Sequence, residues 1–260
     1  MRRFVCFAVV VSLGAVSRAH AQEPRTPVPP APRQAAPPSQ TLKLGSVDVS
    51  ILWRNRVELW DWFEAPPASD AYGFMNSLVR VGFGQTKRSM SWRLELLQPS
   101  YLGAPSDAVG PPPQGALGLG AAYFGANERR TSFGHLFLKQ AFAQFSLSPS
   151  TTVKAGRFEF FDGTEARIPD AVVTGLVQSR VAHRLLSNEA FPAAQRSVDG
   201  ATFAWNAGAN NVTAFGGRPN AGGVHLDGWK ELDIEVYYGA YNRTVKAARG
   251  AGAFRLFVVG

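Results

Sequence analysis

Cysteine is almost absent from this 260-residue chain: the only one is Cys6, close to the N-terminus. Beyond it there is no thiol for a disulfide staple, a thiolate metal ligand or a nucleophile. Histidine is nearly as scarce. Past residue 21 there are His135, His183 and His225, no two of them at metal-ligand spacing, and no H-E-x-x-H occurs. There is no G-x-S-x-G elbow either. Gly118-Leu-Gly120 followed by Ala121-Ala122-Tyr123 lacks the third glycine of a dinucleotide loop, so it reads as a turn entering a strand. Long apolar runs are missing too. The one candidate, Phe4 to Val16, is shorter than the roughly 20 residues a helix needs to cross a bilayer. If the rest of the chain enters a membrane, it must do so as strands.

What is present begins with an export signal. Arg2 and Arg3 precede the apolar run, and Ala19-His20-Ala21 offers the small-x-small pattern of a cleavage site. Residues 1–21 are therefore expected to be a signal peptide cut after Ala21, and the mature protein to work outside the cytoplasm. Loss of Arg2, Arg3 and Arg18 lowers the formal charge from +8 to +5. That excess is too small to argue for nucleic acid, but it suits attraction of an anionic solute. Residues 22–41 carry Pro24, Pro27, Pro29, Pro30, Pro32, Pro37 and Pro38 and are expected to be a disordered linker.

From Leu42 the hydrophobic period becomes two. Val47, Val49, Ile51, Trp53, Val57 and Leu59 share one face, with Asp48, Ser50, Arg54, Arg56 and Glu58 on the other. Thirteen alternating residues exceed the usual soluble strand of about 5–6 and suit a tilted membrane strand. Shorter stretches repeat the pattern: Val79, Val81 and Phe83 around Arg80; Trp92, Leu94 and Leu96 around Arg93 and Glu95; Leu232, Ile234, Val236 and Tyr238 around Asp233 and Glu235. Further strands are expected over 135–147, 152–161, 197–206, 211–216 and 253–259. Residues 170–188 instead show helical spacing, with Asp170 as N-cap and Arg180 and Arg184 one turn apart.

Alternation alone cannot say which face meets water. The export signal, the long first strand and the aromatics at strand ends (Trp53, Trp60, Trp62, Phe63, Tyr237, Tyr238, Tyr241) favour apolar rows toward lipid and charged rows toward a lumen. The expected class is all-β, an antiparallel transmembrane β-barrel in the bacterial outer membrane, with one short helix near 170–188. The alternative is a secreted, soluble β-rich domain that binds acidic glycans through the same arginines.

Chemistry is sparse. Glu159 with Asp162, or Asp162 with Glu165, could be posed as a glycosidase dyad, but the adjacent Arg157 and Arg167 suggest ion pairs in a polar lumen. No enzymatic activity, metal or cofactor is expected. Asn211-Val-Thr213 and Asn242-Arg-Thr244 match the short glycan-acceptor pattern. The arginines call for another explanation. Arg54, Arg56, Arg80, Arg93, Arg157, Arg180, Arg184 and Arg196 lie on or near charged faces, and a guanidinium fork suits carboxylates. Spaced along a path, such groups could hold a polyanion weakly while letting it pass.

Five stretches resemble the alginate export family of outer-membrane barrels: Glu58-Leu-Trp-Asp-Trp-Phe63, Leu117-Gly-Leu-Gly-Ala-Ala-Tyr123, Gly156-Arg-Phe-Glu-Phe-Phe-Asp-Gly-Thr-Glu165, Arg180-Val-Ala-His-Arg-Leu-Leu186 and Arg196-Ser-Val-Asp-Gly200. The resemblance covers nearly everything after Thr41. It implies a barrel of about eighteen strands with an electropositive, constricted pore for an anionic polysaccharide such as alginate, or another anionic solute. It also implies that Arg157, Glu159, Asp162 and Glu165 face the lumen, and that Arg180, Arg184, Arg196 and Asp199 form the constricting network. The partners implied are that solute and outer-membrane lipid, with no nucleic acid. The 219 residues from Leu42 to Gly260 allow only about ten crossings. The barrel is thus expected to be truncated at its C-terminal end, or else to be a complete, smaller one with a side-chain-filled interior.

Overall fold

The computed structural model describes residues 42–166, 168, 170–182, 185–186, 194–247 and 250–260, together with the backbone of 6–10. The linker 22–41 and most of the leader lie outside the described residues, as do Arg184, His183 and Arg167.

The chain forms one antiparallel sheet. Its strands are β1 (Cys6–Val10), β2 (Leu42–Leu44), β3 (Val47–Asp61), β4 (Ala71–Thr86), β5 (Met90–Leu102), β6 (Ser132–Gly134), β7 (Phe137–Ser148), β8 (Thr151–Phe158), β9 (Val198–Ala207), β10 (Asn210–Pro219), β11 (Val236–Ala247) and β12 (Gly250–Val259). Among the described residues two helices interrupt them: α1 (Gly118–Ala126), and α2 (Ala171–Leu176), which runs on into a π-helical turn over Val177–Val181. From β2 to β12 each long strand pairs with the next. β1 lies against the far side of β12, β6 pairs only with β5, and the sheet is open. Cys6–Val10, inside the segment expected to be a leader, thus runs antiparallel to Arg255–Val259.

The connections are sorted by length. β2–β3, β4–β5, β7–β8, β9–β10 and β11–β12 are joined by two or three residues, while 62–70, 103–131, 159–197 and 220–235 are long. Because every neighbour is antiparallel, all the tight turns fall at one end of the sheet and all the long loops at the other. Gly45 and Gly208, at φ +62° and +57°, supply the left-handed residue in two of the tight turns.

The expected strands over 135–147, 152–161, 197–206, 211–216 and 253–259 correspond to β7, β8, β9, β10 and β12, shifted by a few residues at their ends. Two expectations need correction. Residues 232–235 alternate but are not strand: Leu232 N–H donates to Pro219 O and Asn220 bridges Glu231, so this stretch closes a loop before β11 starts at Val236. Gly118 to Ala126 is a helix, not a turn entering a strand. Gly118, at φ +82°, turns the chain, and the Tyr72 hydroxyl donates to Leu117 O while accepting from Gly120 N–H. The tyrosine thus serves the helix start, where N–H groups have no partner within the helix. Asp170 caps α2 as expected, accepting from Val172 N–H and Val173 N–H at 2.9 Å each.

The two faces of the sheet are unlike. Cross-strand pairing keeps Arg56 with Asn76, Asn76 with Tyr101, and Arg80 with Leu97 on one face. That face is covered. At the loop end, α1 and the 220–235 loop fold onto it, burying Tyr123, Phe124 and Leu226 against Phe74, Leu97, Tyr101 and Phe137. Tyr101 and Tyr123 stack with ring centroids 4.3 Å apart. A second cluster joins Phe158, Phe215 and Tyr238. The opposite face is bare and, apart from Arg157, Asp199 and Arg218 at its loop end, largely apolar: Ile51, Trp53, Val57 and Leu59 are 64, 70, 68 and 83% exposed, and Leu94, Phe145 and Phe203 continue the face across the sheet. In a sheet with one face in water, alternation normally places the apolar face inside. Here the covered face carries the charged rows beside its aromatic clusters, and the uncovered face is the more uniformly apolar one.

Candidate functional site

The charged residues of the covered face form a band across β3, β4, β5, β7 and the residue after β8, in one group around Glu95 and Glu159 and another around Glu58. Glu95 on β5 has no exposed surface. It takes Arg93 Nε at 2.9 Å and Gln140 Nε2 at 3.2 Å, and pairs with Arg80 at 3.3 Å. Arg80 reaches on to Glu159 at 3.6 Å, and Glu159 also pairs with Lys139 at 3.1 Å. Glu58 on β3 accepts from Asn76 Nδ2 at 3.1 Å and pairs with Arg56 at 3.4 Å. Buried carboxylates persist only when paired and hydrogen-bonded; Glu58 and Glu95 are both, and Glu159 is held by two ion pairs.

Lys139 owes its place to a slip in the ladder. Glu95 pairs with Gln140 but Leu96 pairs with Leu138, which leaves Lys139 as the extra residue of a β-bulge. The bulge turns Lys139 inward, where it is fully buried and donates to the carbonyls of Gln195 and Arg196. One side chain therefore fixes Glu159 and the segment entering β9. Period-two reading could not find it, because alternation through 137–148 assumes an unbroken register.

Around the band, cations outnumber acids: Arg54, Arg56, Arg80, Arg93 and Lys139 face Glu58, Glu95 and Glu159. Arg54 shares this face through its pairing with Leu78, and its Nε is buried with no partner. Among the described residues no carboxylate comes within ion-pair distance of its guanidinium, although Glu58 acts on it through space.

The remaining expected site residues fall into separate places. Asp162 and Glu165 meet Arg255 on β12 at 3.6 and 3.3 Å, and the Tyr238 hydroxyl donates to Glu165. Asp162 also accepts from Leu186 N–H at 2.9 Å, which ties the long loop after β8 across the sheet to β11 and β12. Arg157 and Asp199 form a forked pair, with Nε–Oδ1 at 2.8 Å. Their register places them with Ala141, in the rows of the bare face and away from Glu95 and Gly156. There Arg157 also donates to Leu138 O and to Gly228 O at the loop end. Arg180 lies on the exposed π-turn. Arg196 sits at the start of β9, its Nε donating to Gly222 O at 2.9 Å. The structure thus joins Arg80, Arg93 and Glu159, joins Asp162 with Glu165, and joins Arg157 with Asp199, while Arg196 meets the band through its backbone carbonyl, which accepts from Lys139.

The expected aromatic girdle divides similarly. Trp53, Trp62, Phe63 and Tyr237 are exposed, whereas Trp60 stacks on Tyr72 and Tyr238 is buried on the covered face. Asn211 and Asn242, the two glycan-acceptor asparagines, are buried and hydrogen-bonded to each other at 3.0 Å. His135 and His225 line one small pocket with Asp227, but among the described residues no set of three metal-ligating side chains converges.

No family model matches the chain, no curated protein is detectably similar to it, and no solved structure matches its fold.

Proposed function

We propose that the chain is an outer-membrane β-barrel of the alginate export type, or a large part of one, and that its charged face lines an aqueous path for an anionic polysaccharide or smaller anionic solute. The inverted sidedness of the sheet carries this reading. A face bearing Ile51, Trp53, Val57 and Leu59 almost fully open, backed by a band of buried charges, is costly in water and favourable in lipid. The sorting of connections supports it: tight turns at one end and long loops at the other is the arrangement of outer-membrane barrels, whose turns face the periplasm. No helix among the described residues is long and apolar enough to cross a membrane, so any crossing is made by strands.

In this reading the solute meets cations held in place by acids. Arg80 and Arg93 are pinned by Glu95 and keep a fixed geometry, while Arg54 carries no ion pair among the described residues. Partial neutralisation keeps binding weak enough for release, as conduction requires. The inward fold of α1 and the 220–235 loop narrows the path at the loop end. The chain would act by diffusion, with no cofactor and no covalent chemistry.

Planar-bilayer recording tests the reading. Refolded protein should give discrete, anion-selective steps that oligouronates block. Arg54→Ala should shift the reversal potential in a salt gradient toward zero while leaving folding unchanged, because no ion pair is lost. Steps without anion preference, or an Arg54→Ala channel of unaltered selectivity, would count against a path lined by this face.

A further inference from the structure

Apart from the charged band, a cavity of about 210 Å³ opens at the loop end, over the start of β9 and β11 and the end of β10. Phe160, Leu186, Val198, Phe215 and Val236 wall it, and among the described lining residues Arg196, exposed at its mouth, is the only charged side chain. The Phe160 and Phe215 rings stack nearly parallel, 15° apart with centroids at 4.4 Å, and give one flat aromatic wall. Arg196 is oriented by its Nε bond to Gly222 O. Among the described residues neither of its Nη nitrogens has a partner. Of the two acids that flank the lining residue Ile234, Asp233 and Glu235, Glu235 is already engaged by Arg218 at 2.7 Å and by the Tyr237 hydroxyl at 2.8 Å, and neither is among the lining residues.

We propose that this cavity binds a small amphipathic monocarboxylate: a single ring or short apolar body that fills the Phe160–Phe215 slot, with its carboxylate forked on Arg196. The volume is below the roughly 300 Å³ at which drug-sized sites begin, which limits the ligand to about one ring. The single guanidinium matches one carboxylate in bidentate geometry. A hydroxyl-rich uronate does not fit these walls, since its hydroxyls would be buried against phenylalanine, leucine and valine without partners. The site therefore differs in ligand chemistry from the charged band. It stands whether or not the sheet crosses a membrane.

The test uses the full chain in lipid nanodiscs, with benzoate as probe, benzamide as its neutral isostere and glucuronate as the hydroxylated anion, read by isothermal titration calorimetry and ligand-observed NMR. Benzoate should saturate the protein and bind at least tenfold tighter than either comparison compound. Arg196→Gln should weaken benzoate at least tenfold, and Arg196→Lys should retain part of the affinity. The preference for benzoate over benzamide in the unaltered chain decides the matter even if Arg196→Gln does not fold. No saturable benzoate binding, equal binding of benzamide, or a folded Arg196→Gln protein with full affinity would each overturn the proposal, with no bearing on bilayer conductance.

Discussion

Lys139 shows how much a single residue can hold. It is a fully buried cation that fixes Glu159 on one side and the carbonyls of Gln195 and Arg196 on the other. Lys139→Met keeps the apolar stem and removes the charge, leaving Glu159 with Arg80 alone and two carbonyls without their donor. Breaking a buried pair in this way costs about 3–5 kcal/mol, so urea unfolding of the variant in nanodiscs should show a loss of that order. A loss below about 1 kcal/mol would mean that Lys139 is not the organising contact. At this scale the sequence was partly legible. Arg54, Arg56, Arg80 and Arg93 fall on charged rows by simple alternation, and the structure keeps them on one face. Lys139 was not legible because its orientation depends on a register shift, and Arg157 was not because its pairing partners, Ala141 and Asp199, lie far away in the chain.

At the scale of elements, alternation over 47–59 was a sound guide because both faces of β3 carry strong and opposite signals. The helix after Asp170 was readable from its cap and spacing. α1 was not. Gly118-Leu-Gly-Ala-Ala-Tyr-Phe-Gly-Ala126 has neither polar stripe nor side-chain cap, and it becomes helical by packing Tyr123 and Phe124 into the aromatic cluster under β4 and β5. The β7–β8 pairing depends on Gly156, whose φ is +121° and whose missing Cβ would lie 2.3 Å from Ala141 O. Gly156→Ala combines a disfavoured backbone conformation with a main-chain clash and should cost about 2 kcal/mol or more. Its measurement is the unfolding midpoint. A midpoint equal to that of the unaltered protein would show that the strands part there without penalty.

For the molecule as a whole, the open edges and the unlike faces matter most. The leader reading predicts that protein recovered from the membrane of an exporting cell has a mass beginning at Gln22. In that case β12 loses its β1 neighbour, Cys6–Val10. Recovery of a chain that still begins at Met1 would contradict export through a cleaved signal. The order of strands could not be read from local sequence, since pairing is set by contacts far apart in the chain, but the meander follows once every tight turn joins neighbours.

The central claim is that the bare apolar face meets lipid and the charged face meets water. Single cysteines placed one at a time from Ser50 to Leu59, in a Cys6→Ser background reconstituted into vesicles, test it through reaction with a membrane-impermeant thiol reagent and quenching by lipid-borne nitroxides. The account predicts a period of two, with positions 51, 53, 57 and 59 quenched by lipid and slow to label, positions 50, 54 and 56 the opposite, and position 58, buried under the loop end, neither quenched nor fast to label. Uniform rapid labelling of 51, 53, 57 and 59 from water would contradict it.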